Sequence, residues 1–126
     1  MPEPKNIEKI KNSFRRRILV RQTDMLLRDA VRLLATLPEE GTIFAEKIDG
    51  HFAPTSRALC LELTEEEGKQ PISIVAADRA PGMEYCLEVF IAREVLDGWR
   101  AEVGNDRGAD LDGAVERFIY YAENDA

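Results

Sequence analysis

The chain has 126 residues, 44% hydrophobic and 33% charged, enough to bury the core of one domain without disulfides or metal. No apolar run approaches the ~20 residues that span a bilayer, and Met1-Pro2-Glu3-Pro4-Lys5 has no apolar stretch of the signal-peptide kind. The net charge is −7, and two cysteines are too few for a secreted disulfide scaffold, so a reducing cytoplasm is the expected location.

Ile7, Ile10, Phe14 and Ile18 recur every three or four residues and predict a helix over 5–20. Thr23 or Asp24 can cap a second helix over 24–37, marked by Leu26, Ala30, Leu33, Leu34 and Leu37 and closed by Pro38 and Gly41. One helix through 5–37 satisfies the pattern equally. Residues 42–48 read as a strand entering a tight turn at Asp49-Gly50. Phe44, Ile48 and Phe52 also keep helical spacing, which leaves a short helix as the competing reading.

Over 58–63, Leu59, Leu61 and Leu63 alternate with Ala58, Cys60 and Glu62, the period of a half-buried strand. Residues 64–71 are a polar connection. The nearly continuous apolar run 72–77 reads as a central strand, turned at Asp78-Arg79-Ala80-Pro81-Gly82. Residues 84–91 alternate again, with Tyr85, Leu87, Val89 and Ile91 against Glu84, Cys86, Glu88 and Phe90. Val95, Leu96, Trp99 and Val103 mark a helix over 93–103 that stops at Gly104, followed by a loop over 105–109. Asp110 then caps a last helix striped by Leu111, Val115, Phe118, Ile119 and Ala122. Connections too short for crossovers imply an antiparallel meander. The expected fold is α+β: a three- to four-stranded meander sheet with two N-terminal and two C-terminal helices mainly on one face.

Candidate chemistry is sparse. His51 is the sole histidine, with Asp49 and Ser56 as its nearest prospective partners. One histidine and two distant cysteines cannot supply the four ligands of a structural zinc site, so no metal and no cofactor are expected. Cys60 and Cys86 stand opposite the Leu or Tyr-Leu-Val faces of their strands. If those strands flank a central one, the cysteines are about 9.5 Å apart, beyond the ~7 Å reach of a disulfide. Glu65-Glu66-Glu67 lacks the alternating oxygens of a calcium loop and reads as a solvated corner. Glu84 and Glu88 share a strand face with Glu62 nearby, a pattern open to acid–base chemistry but also to an ordinary wet surface. The eight glycines stand singly, Gly98 and Gly113 inside proposed helices, so no phosphate-cradling loop is present.

Charge distribution is the most informative feature. From Lys5 to Arg32 nine bases face three acids, a net +6; from Leu33 to Ala126 eight bases face twenty acids, a net −12. Residues 1–23 thus form a basic helical arm and 24–126 an acidic body within one domain, 1–126. The candidate binding residues are Lys9, Lys11, Arg15, Arg16, Arg17 and Arg21. They can dock on an acidic surface of this chain or a second copy, bind nucleic-acid phosphate, or form a solvated helix face. The acidic body opposes any polyanion, and no aromatic residue except Phe14 interleaves the cluster. The expected function is a non-enzymatic protein-interaction module: an adaptor, regulator, inhibitor or chaperone-like protein, acting on a protein partner or by self-association, with homodimers a possible form. A nucleic-acid-associated regulator using the arm is the alternative, and a small enzyme using Glu62, Glu84, Glu88 or His51 the second alternative. Gross character resembles small bacterial secretion chaperones and toxin-neutralising proteins, without a shared motif.

Overall fold

Met25 and Leu26 are extended rather than helical, because they pair antiparallel with Ala58 and Arg57. They form β1 (Met25–Leu26), the first element of a computed structural model that describes residues 25–108 and 110–125. The expected helix over 5–20 and the Thr23 or Asp24 cap lie outside the described residues. A continuous helix over 5–37 is excluded by β1, and the helix expected over 24–37 is divided. Its first part is α1 (Leu27–Arg32) and its second a 3-10 turn, Leu34–Thr36. Asp29 starts α1, its Oδ2 accepting the Leu26 amide at 3.2 Å. Arg93 closes the other end: Nε and Nη2 donate to Leu34 O at 3.2 and 3.1 Å, and Nη2 also to the carbonyls of Ala35 and Leu37. These are the carbonyls that a helix end leaves without partners.

β2 (Gly41–Ala45) is buried at every position. The chain then reverses at Asp49 and Gly50, whose φ values of 54° and 83° are both positive, as a type I′ turn requires. An Ile48–His51 bridge closes the turn, so the strand reading of this segment holds over the helical one. β3 (Arg57–Glu62) returns alongside β2, and the alternation expected over 58–63 is present.

Two short helices follow, the first within the expected polar connection 64–71 and the second where a strand was expected. α2 (Glu65–Gly68) is nucleated by a reciprocal cap: Thr64 Oγ1 accepts the Glu67 amide at 3.1 Å, and Glu67 Oε1 accepts the Thr64 amide at 3.0 Å. The same Glu67 oxygen holds Arg79 at 2.5 Å, tying α2 to α3 (Ile72–Arg79). Residues 72–77 are therefore helical and not the central strand. Their apolar run satisfies either period; α3 buries Val75 and Ala76 and leaves Ile72 and Ile74 exposed.

β4 (Glu84–Glu88) pairs with the free side of β2. The strand expected to reach residue 91 ends at 88, and α4 (Val89–Val103) starts four residues earlier than expected because Val89, Ala92 and Leu96 share its buried face. Gly104 ends α4 as expected. The loop expected over 105–109 contains α5 (Asn105–Gly108). Asp110 caps α6 (Leu111–Asn124), accepting the Asp112 amide at 3.1 Å.

The result is an α+β fold with a four-stranded antiparallel sheet in the order β1-β3-β2-β4. It is not a meander. With 72–77 helical, the link from β3 to β4 is long enough to carry α2 and α3 past β2, so β3 and β4 run parallel on either side of it. Ile43, Ala45, Ala58, Cys86 and Leu87 face the larger core, against Leu27 and Val31 of α1, Leu96 of α4 and Phe118 of α6. Phe44 and Leu61 face the smaller core, with Val75, Ala76, Ala80 and Met83. Helices cover both faces, the heavier layer on one. Among the described residues no buried side-chain nitrogen or oxygen lacks a hydrogen-bond partner.

Candidate functional site

The binding residues named from sequence, Lys9, Lys11, Arg15, Arg16, Arg17 and Arg21, lie outside the described residues. The remaining candidates lie within them and are dispersed. His51, beside its turn, pairs with neither Asp49 nor Ser56. Its Nδ1 lies 3.2 Å from Glu123 Oε2 on α6, and the same oxygen accepts the Phe52 amide at 3.0 Å. Glu123 thereby pins the β2–β3 loop to the last helix. The His51 side chain is 77% exposed. Ser56 is fully buried, its hydroxyl accepting the Ala53 amide at 2.9 Å.

The carboxylate set does not assemble. A bulge between Ile43 and Phe44 on one side and Leu87 and Tyr85 on the other places Cys86 and Leu87 on the same face. Glu84, opposite Ala45, and Glu88, opposite Thr42, consequently lie on opposite faces of the sheet, roughly 10 Å apart along the strand. Glu84 ion-pairs with Lys47 at 3.8 Å. Glu62 sits across from Gly41 on the face of Ile43, not that of Glu88. Glu65, Glu66 and Glu67, expected as a solvated corner, start α2, where Glu67 is a capping and ion-pairing group; the Thr64 amide and Arg79 hold its carboxyl below the usual glutamate range. Among the described residues no group of three or more His, Cys, Asp or Glu could hold a metal ion.

β3 and β4 do flank a central strand, β2, and both cysteines are free thiols. Burial, reinforced by Glu62, pushes Cys60 up to about 11. Burial, with Glu123 adding to it, pushes Cys86 up to about 12. Thiols held protonated in this way are poor nucleophiles and poor metal ligands.

One concave surface has a composition of its own: a groove of about 520 Å³ between α4 and α6, lined by Trp99, Val103, Asp110, Gly113, Glu116, Arg117 and Tyr120. The α6 positions 113, 116, 117 and 120 recur every three or four residues and so share one side of the helix. Gly113 lets the helices meet there, since a Cβ would stand 3.0 Å from Trp99 Cζ2 and 3.2 Å from Asp110 Oδ2. Arg117 lies 5.6 Å above the ring centroid of Tyr120, a residue that is 54% exposed. Sequence reading missed this set because it joins two helices. Gly113, a glycine inside a helix with no turn to make, was its one visible sign.

Among the described residues no helix is long and apolar enough to cross a membrane. No family model, curated protein or solved structure matches the chain.

Proposed function

We propose that this chain is a non-enzymatic protein-interaction module of the reducing cytoplasm, with residues 1–23 as a basic arm and 24–126 as an acidic body that receives a basic protein segment. The observation that carries this reading is the charge segregation, +6 over Lys5 to Arg32 against −12 from Leu33 onward. The body's own bases add support, since many are already engaged. Arg57 lies 3.6 Å from Glu46, Arg100 3.8 Å from Asp97 and Lys47 3.8 Å from Glu84, while Arg93 is spent on carbonyls. Among the described residues no Asp or Glu is buried, so the acidic excess faces solvent, where it steers cationic partners and repels polyanions. The scattered positions of His51, Glu62, Glu84 and Glu88 lend nothing to an enzyme.

The competing reading, nucleic-acid binding through the arm, separates in one titration. Random duplex DNA is titrated with the full chain and with a variant carrying Gln at 15, 16, 17 and 21. Four arginines on phosphates predict a log–log salt slope of roughly −3 to −4, flattened in the variant. The module reading predicts no micromolar binding at physiological salt, and such binding would replace it.

A further inference from the structure

We propose that the groove between α4 and α6 is a binding site for an arginine side chain presented by a basic segment of a protein partner. The inference rests on the reading of the chain as an interaction module and assigns that module a place and a ligand group. Two aromatic rings, Trp99 and Tyr120, and two carboxylates, Asp110 and Glu116, line one groove. An aromatic face attracts a cation through its quadrupole, and carboxylates beside it add charge attraction. Arg117 demonstrates the first contact within this chain, its guanidinium 5.6 Å above Tyr120. Arginine fits better than lysine because a planar guanidinium stacks on a ring while its edges donate to carboxylates.

Gly113 sets the floor of the groove: with no side chain there, the Trp99 ring packs directly against α6. Asp110 spends Oδ1 on the Asp112 amide, and Oδ2 stands on the Gly113 side. Lining acids outnumber the single lining base, and that base is already placed over a ring, so the local balance favours a cation over an anion.

Trp99 is the sole tryptophan, so its emission reports on the groove in the intact protein. The full chain is titrated at low salt with argininamide and, in parallel, with citrullinamide, which has nearly the same shape and no side-chain charge. The expected result is a saturable change with argininamide alone, weakened by Glu116→Gln. Tyr120→Leu weakens it roughly 2- to 30-fold, the range of one cation–π contact. Arg117→Gln strengthens it, because a like charge leaves and the ring is freed. Thermal melts check that each variant is folded; positions 116 and 120 are exposed. No saturable change with argininamide, or an equal response to citrullinamide, overturns the proposal. So does a response to inorganic phosphate that disappears in Arg117→Gln, which would make the groove an anion site. A silent Trp99 beside salt-dependent mass or melting of the chain would remove the groove and leave the module reading standing.

Discussion

Gly41→Ala probes the central hairpin most sharply. Gly41 opens β2, and a Cβ there would stand 2.5 Å from Cys60 Sγ, 3.0 Å from Pro38 O and 3.3 Å from Val89 Cγ2. The Pro38 carbonyl is tethered because it accepts the Gly41 amide at 2.9 Å. Cys60 is packed against the larger core and cannot swing freely. Overpacking of this kind costs about 1–3 kcal/mol. Replacing glycine by alanine in a compatible backbone returns about 0.4–1 kcal/mol by restricting the unfolded chain. The net expectation is a loss of about 0–2.6 kcal/mol. Cys60→Ala removes the closest atom, so the double variant should recover at least about 0.5 kcal/mol relative to additivity. Urea melts of the four proteins measure the cycle. A stabilising Gly41→Ala, or additivity within about 0.3 kcal/mol, would show that Gly41 and Cys60 do not meet and that the register of β2 on β3 is wrong.

Arg93→Leu should cost about 1.5–3 kcal/mol in the same melts, because a charged donor leaves the carbonyls after α1; Arg93→Lys should recover only part, lacking the planar fork. Leu61→Ala, in the smaller core, should cost about 2–5 kcal/mol, whereas Glu66→Ala at the exposed α2 corner should change stability by less than about 0.5 kcal/mol. Equal losses at the two positions would contradict the burial of the Leu61 face. Both thiols should react slowly in the native protein and fully in denaturant, with no shift of Tm on adding reductant. Because Cys60 is raised to about 11 and Cys86 to about 12, the unfolded chain ionises first. Stability should therefore hold below the ordinary thiol value of ~8.5 and decline as pH rises towards about 11. A Cys60→Ala variant with an unchanged alkaline limb would refute the assignment.

What could be read from sequence was local. The alternation around Leu61, the Asp49-Gly50 turn and the Asp110 cap with its Val115–Phe118 stripe each fit within one element, where period and turn chemistry decide. The strand assigned to 72–77 failed because a short apolar run fits either period. The distinguishing contact, Arg79 to Glu67, joins two elements, although the Thr64-x-x-Glu67 capping pattern was there to be seen. The boundary at Val89 was hidden because Leu87, Val89 and Ile91 prolong a strand's alternation while Val89, Ala92 and Leu96 already follow a helix. Once that strand became a helix, the meander topology fell with it. The site was less legible than the fold: Glu123 reaches His51 across 72 residues of sequence, and a bulge reverses the face of Glu88. Trp99 and Gly113 meet only through helix packing.

The most direct test of the proposed function compares wild-type protein with the variant carrying Gln at 15, 16, 17 and 21, following Tm and solution mass from about 0.01 M to about 1 M salt. Over that range the Debye length shrinks from ~30 Å to ~3 Å, removing attraction between exposed charges. At low salt the wild type should be more stable or heavier than the variant, and at high salt the two should converge. Identical behaviour at every salt concentration, or a difference that salt leaves untouched, would contradict a charge-driven interaction module.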